Sequence, residues 1–464
     1  MVSSTSNPPA QFDWPLAYEA EQLLGRYIAA FLERNSFARR LAERMRDETG
    51  TEFYEWVDHL VLPSEHAAEL DAVGMVVEKV HAPLSTIVLY HPKAMMPRVL
   101  LRLGSGAVGV PSVVALRPES LADFLARHDI VSPIQGEFGS RLRRAIIAEE
   151  QGTRLEAVER LGWRGFVPEA PVAGFTAAVM KARELFHMRK RDFPDDAAGV
   201  KHAFAVLDQV LALVPRDVAC ELFFAEERVF WELRNRAGRV QKRRQDLLGL
   251  GWGNHDHHTF RCSRALFPDL IGFLTRLGLE KRERYYAGEE AGWGAQIMEA
   301  PAVGIVVFAD VDLKPGEIDI DFAKERLPAL PALRTVGLWC ALHGDSFLQA
   351  GMHHLEARFD FARLRDQLAT EGVNTMKPFS DFAFLKQAFT EGERWPVRPE
   401  RVATLLLTGL ITPEQADGFL KEGAIGSHLE NLQRKGGFKG FNQKAVSAII
   451  AATDPRLQQA DHST

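Results

Sequence analysis

Apolar residues between positions 14 and 46 fall at helical spacing (Leu23, Leu24, Tyr27, Ile28, Phe31, Leu32), which predicts one or two amphipathic helices. The texture then changes. Residues 54–62 read as a short strand. Residues 64–73 read as a helix with Ser64 at its N-cap and Gly74 closing it. Three strand-like runs follow, at 75–80, 86–90 and 99–103. The same order returns far downstream. Residues 256–262 read as a strand, 265–277 as a strongly amphipathic helix closed by Gly278, and 279–286, 294–299 and 305–311 as three more strands. A β-α-β-β-β unit is thus used twice, an internal repeat that constrains any fold. Residues 352–359, followed by a helical 361–371, begin a third, partial unit.

Five regions follow from this pattern. Residues 1–13 are a polar tail, expected to be disordered, and 14–118 hold the N-terminal helices and the first unit. Residues 119–250 read as a helical insertion, with apolar 3–4 spacing at 179–186, 202–214 and 222–233. Residues 251–390 hold the second unit and a candidate metal-site strand. Residues 391–464 read as helical, with starts at Arg398 and Thr412-Pro413.

Composition narrows the function classes. The 464 residues are 46% hydrophobic and 25% charged, enough to bury a core. The net charge of −6 argues against a nucleic-acid partner. No apolar run approaches the ~20 residues of a membrane span, and the polar N-terminus has no signal-peptide core. Three cysteines, Cys220, Cys262 and Cys340, make an odd, widely spaced set with no disulfide framework. The expectation is a soluble cytoplasmic protein.

The densest chemical signal is Asn254-His255-Asp256-His257-His258. Side chains alternate along a strand, so His257 and Arg261 share one face while His258, Phe260 and Cys262 share the other. If the Phe260/Cys262 face packs on a core, His257 looks into a site, where histidine is the commonest metal ligand; a polar strand end with solvated imidazoles is the bland alternative. A second candidate is Met352-His353-His354-Leu355-Glu356-Ala357-Arg358, in which His354, Glu356 and Arg358 share a strand face. The alternative there is an exposed edge with a Glu/Arg pair of little worth. A third is Asp58-His59, which stands in the first unit where Asp256-His257 stands in the second. Two histidines and one carboxylate make the facial triad of non-heme iron(II) oxygenases, here His59, His257 and Glu356. Chains of the Cys-x-x-Cys, Gly-x-Ser-x-Gly and P-loop classes lose support, because none of those motifs occurs.

The repeated β-α-β-β-β with a histidine on each first strand resembles the vicinal oxygen chelate superfold. Within it, residues 50–390 resemble the iron(II)-dependent 2-oxoadipate dioxygenase/decarboxylase (hydroxyglutarate synthase) family. Asp256-His257-His258-Thr259-Phe260-Arg261 is similar to that family's Asn-His-Leu-Thr-Pro-Arg segment, which implies a ligand role for His257. His59-Leu-Val-Leu-Pro63 stands where its His-Gly-Ala-Ile-Arg segment belongs, which implies a ligand at His59. His354-Leu355-Glu356-Ala357-Arg358 is similar to its Gly-Glu-Ile-Glu-Gln-Arg segment. Two departures matter. The family's carboxylate-binding arginine falls on Pro63. Strict register places its ligand glutamate on His354, two residues before Glu356.

The resulting expectation is an α+β fold of two paired β-α-β-β-β units forming a metal-lined half-barrel with helical additions. The expected activity is that of a mononuclear Fe(II) dioxygenase/decarboxylase acting on a small 2-oxo or hydroxy acid. Its metal ligands would be His59, His257 and Glu356, with His354 the alternative to Glu356. Arg261 or Arg358 would orient the substrate carboxylate, and the partners would be that acid and dioxygen. A metal-dependent isomerase or lyase of the same superfold is the second reading, and a ligand-binding cup without redox chemistry the third.

Overall fold

The computed structural model describes residues 14–81, 85–102, 110–442 and 454–456; the tail predicted over 1–13 lies outside them. The amphipathic start forms helices α1 (Tyr18–Arg34) and α2 (Ser36–Arg44). The first unit follows as β1 (Val57–Pro63), α3 (Ala67–Ala72), β2 (Val76–His81), β3 (Thr86–Tyr90) and β4 (Arg98–Arg102). Ser64 opens a short 3-10 turn ahead of α3. The second unit is β8 (His255–Arg261), α9 (Phe267–Arg276), β9 (Glu280–Tyr286), β10 (Trp293–Ala300) and β11 (Ile305–Asp312). Gly74 and Gly278 end the two unit helices with φ of +87° and +96°, a conformation that costs glycine least.

Two strand-bearing segments lie between and behind these units. Residues 119–250 are not all helical: β6 (Leu142–Glu150) and β7 (Thr153–Arg160) join β5 (Val113–Leu116), which precedes the region, and α4 (Leu121–Arg127) in a unit one strand short, ahead of α5 (Phe175–His187), α6 (Asp196–Leu213), α7 (Arg216–Glu232) and α8 (Arg236–Asp246). After α10 (Thr335–His343), the third unit is complete rather than partial: β12 (His354–Arg358), α11 (Phe361–Thr370), β13 (Ser380–Phe382) and β14 (Leu385–Phe389). Its last strand comes only after an insertion of β15 (Glu393–Trp395), α12 (Pro399–Leu407) and α13 (Pro413–Glu422). That strand is β16 (Ala424–Arg434), in the region read as helical. Arg398 and Thr412 do sit at the N-caps of α12 and α13, the latter in a full capping box.

The units that the repeat singled out are both present, but they do not pair with each other. β1 and β8 lie in separate sheets, of strand order β2-β3-β4-β1-β5-β7-β6 and β13-β14-β16-β12-β8-β11-β10-β9. Each first strand pairs antiparallel with the first strand of the unit that follows it, β1 with β5 and β8 with β12. Four units in two paired sets therefore replace two units in one. The fold class is α+β.

Both sheets bury one face under helices. Phe260, Cys262, Leu355, Ala357 and Leu429 join the main core, which is built on the helices of 175–277. Leu60, Leu62, Val114 and Leu116 join the N-terminal core with α1 and α2. Alternation sends the intervening residues to the opposite, concave faces.

Candidate functional site

The predicted facing of β8 holds. With Phe260 and Cys262 in the core, His257, Thr259 and Arg261 line a cup of about 70 Å³ on the C-terminal sheet. Three neighbouring strands meet there in one register: His257 on β8 stands opposite Glu356 on β12, and Glu356 stands opposite Glu430 on β16. The ligand-type atoms of these three buried side chains all lie within 4.8 Å of one another. His257 Nε2 is 3.3 Å from Glu356 Oε1. His354, two residues along β12, adds its Nε2 against Glu356 Oε1 and 3.7 Å from Glu430 Oε2.

The electrostatics of this group suit a divalent cation. Burial raises the carboxyl of Glu356 well above the ordinary range, and the neighbouring Glu430 raises it further; burial raises Glu430 as well. Two buried carboxylates this close share a proton when no cation lies between them. Glu356 takes a hydrogen bond from Thr259 Oγ1 at 2.9 Å, but its Oε2 has no partner among the described residues. Burial also holds His257 and His354 below the usual imidazole value, so both rings are neutral. His257 Nδ1 donates to Asp256 Oδ1 at 2.8 Å, which leaves Nε2 as a lone pair aimed at the carboxylates. Asp256 is in turn gripped by Arg434 through two 3.0 Å bonds. Such an outer carboxylate fixes the tautomer and orientation of a ligand histidine. Asp256→Ala should therefore weaken divalent-metal binding by about 10–100-fold with the three inner side chains intact, as read by competition with a metallochromic chelator.

The same side chains give the metal-free chain a pH signature. Burial also pushes Asp310 up to about 8. Above about pH 7 the buried histidines are neutral folded or unfolded and add no slope. Asp310 and the Glu356/Glu430 pair still hold protons in the fold that the unfolded chain has released, so stability falls as pH rises through about 8. A bound divalent cation replaces the proton of the Glu356/Glu430 pair. Thermal melts between about pH 7 and 8 should show a falling midpoint without metal and a flatter one with it.

Of the residues predicted as ligands, the structure brings together His257, Glu356 and His354. His59 stands in the other sheet, and Glu430, which the pattern missed, takes its place in the group. The N-terminal sheet explains the recurrence of Asp-His. There, His59 Nδ1 bonds Asp58 at 2.6 Å, and Arg160 grips Asp58 through two 2.7 Å bonds, as Arg434 grips Asp256. Register places Ala115 where the C-terminal sheet has Glu356, and Glu156 where it has Glu430. Val61 and Val113 take the positions of Thr259 and His354, and with Val88, Leu100 and Phe166 they fill that face with hydrocarbon. The framework is duplicated, but the polar centre is not. Glu430 did carry a signal: His428-Leu429-Glu430 repeats His354-Leu355-Glu356, and the two tripeptides lie side by side in the β12–β16 pair.

The two predicted anion-binding arginines part company. Arg261 is 2% exposed, lines the cup, and has no hydrogen-bond partner for Nε or Nη1 among the described residues. Arg358 lies instead on a cleft toward the N-terminal sheet, ion-paired to Glu55 at 3.1 Å. The cause is a register shift between Glu356 and Ala357 that breaks the simple alternation of β12.

No protein-family model and no curated protein sequence matches the chain. Among solved structures, it is similar to a 4-hydroxymandelate synthase mutant from Streptomyces coelicolor (12% identity, 86% of this chain and 98% of that one, TM-score 0.28). It is also similar to a glyoxalase superfamily protein from Ralstonia eutropha JMP134 (13%, 57% and 97%, TM-score 0.32). A third likeness is to methylmalonyl-CoA epimerase from Mycobacterium tuberculosis (13%, 39% and 88%, TM-score 0.22). No described helix is long and apolar enough to cross a membrane.

Proposed function

We propose that the chain is a mononuclear iron(II) oxygenase that oxidatively decarboxylates a small 2-oxo or hydroxy acid bound in the C-terminal cup. The observation that carries this reading is the unsatisfied Arg261 guanidinium on the strand face that presents His257. A buried guanidinium without a partner is costly, and a carboxylate satisfies it through paired, charge-assisted hydrogen bonds. Asp310 stands opposite Arg261 in the β8–β11 register, yet its raised value keeps it uncharged near neutral pH. The arginine's charge is thus left for the ligand. His257, Glu356 and Glu430 would hold the metal, with His354 at hand. Bound iron(II) would supply a chelation point for the acid and the means of reducing dioxygen.

The chain's own groups do the rest. Arg261 fixes the carboxylate end, Thr259 holds Glu356 in place, and protonated Asp310 can donate a hydrogen bond to a substrate oxygen. Aromatic walls from Tyr285, Trp293, Phe308, Phe379, Phe389 and Phe441 keep water out. The space of about 70 Å³ matches roughly two water molecules, and so only a small acid. One guanidinium serves one carboxylate. Arg358 is committed to Glu55, Lys377 is exposed outside the cup, and Pro63 lies in the other sheet. A short monocarboxylate 2-oxo or hydroxy acid should therefore outperform 2-oxoadipate in iron(II)-dependent oxygen uptake. Turnover of 2-oxoadipate well above every shorter acid would overturn that substrate assignment.

The fourth ligand-type side chain, His354, favours a second reading. Four protein ligands leave less room for both substrate and dioxygen, as suits a metal that only polarises a carbonyl in an isomerase or lyase. Exchange of a substrate C–H proton with solvent, without oxygen uptake, would select it.

A further inference from the structure

We propose that the cleft between the two sheets is a second ligand site, which binds a small organic anion (a carboxylate or phosphate bearing an apolar body) through Arg164. The cleft encloses about 540 Å³ and is walled by both sheets. It is separate from the metal cup, and the inference does not depend on the activity proposed there.

Five cationic side chains besides Arg164 face this space, and each is held by its own partner. Arg98 pairs with Glu78 at 2.6 and 2.7 Å, Arg117 with Glu221 at 2.9 Å, Arg160 with Asp58 at 2.7 Å, Arg358 with Glu55 at 3.1 Å, and Lys439 with Glu299 at 2.9 Å. Arg164 alone makes no ion pair and no hydrogen bond among the described residues. Glu78 and Glu299 act on it only through space, and both are already engaged.

The surroundings aggravate the imbalance. Burial, with Arg98 and Arg117 nearby, brings Arg164 down to about 10. Gly304 lets the guanidinium lie close: a Cβ there would meet Nη2 at 3.1 Å, and its φ of +73° suits glycine. Anionic oxygens at Arg164 would sit in the combined field of three guanidinium groups. Tyr90, Met95 and Met96 also line the cleft and offer apolar surface for the rest of the ligand.

Isothermal titration of the full chain tests this, with inorganic phosphate and with butyrate as separate probes at constant ionic strength and chloride as control. All titrations use an Arg261→Gln background, which removes the cup's own grip on a carboxylate. Saturable binding of at least one probe is expected there, at one per chain, and it should weaken at least tenfold when Arg164→Gln is added. Phosphate without butyrate would assign the phosphate source, and the reverse the carboxylate source. Arg164→Met, which keeps the apolar stem, is the second variant should the first fold poorly. Binding no different from chloride in the Arg261→Gln background, or binding unchanged there by either Arg164 substitution, would overturn the site.

Discussion

Alanine at Glu430 is expected to lower divalent-metal affinity by more than about 100-fold, since loss of an outer-shell partner alone costs about 10–100-fold. The loss should come without loss of fold. Glu430 is 2% exposed and crowds a second buried carboxylate. Removing it lets Glu356 ionise more readily and relieves the metal-free chain of a like-charge contact. Metal-free Glu430→Ala should thus melt at or above the wild-type temperature while its metal-dependent stabilisation disappears. Glu356→Ala should lose metal as severely. His59→Ala should keep it, because His59 belongs to the hydrocarbon-filled sheet. Loss of metal in His59→Ala with retention in Glu430→Ala would restore the ligand set that the two Asp-His doublets suggest.

The second large effect concerns Arg261. Breaking one side of a buried, hydrogen-bonded charge pair costs about 2–5 kcal/mol. Arg261→Gln should therefore lower kcat/KM for the acid by about 30-fold or more. It should leave metal content unchanged, since the guanidinium is not among the ligand-type groups. Asp310→Asn separates the roles further: the amide keeps a hydrogen-bond donor but cannot titrate, so turnover should survive near neutral pH. Steady-state oxygen uptake across substrate concentration measures both. Wild-type kcat/KM in Arg261→Gln would remove the carboxylate from the cup.

How far the sequence carried the reading depended on locality. The two complete units, with their helices, positive-φ glycines and strands, were legible because each is a contiguous run with its own period. The facing of β8 was legible for the same reason, since Phe260 and Cys262 mark the buried side. Pairing was not legible. Nothing local to 57–63 or 255–261 tells β1 to join β5 and β8 to join β12, and a repeat with matching Asp-His doublets invites the pairing of the doublets themselves. β6 and β7 were missed because charged, helix-favouring residues such as Arg143, Arg144, Glu156 and Glu159 occupy strands that tertiary contacts enforce. Glu430 was missed because an insertion holding β15, α12 and α13 separates β16 from the rest of its unit. Arg358 was misplaced by a register shift, which strand alternation cannot reveal.

The proposed chemistry rests on a single metal centre built by His257, Glu356 and Glu430. Elemental analysis of anaerobically purified protein, beside a His257→Ala variant confirmed to be folded, tests it most directly. One iron per wild-type chain and almost none in the variant is the expected result. Stoichiometric iron in His257→Ala, or a wild-type chain that takes up no divalent metal when iron(II) is supplied, would contradict it.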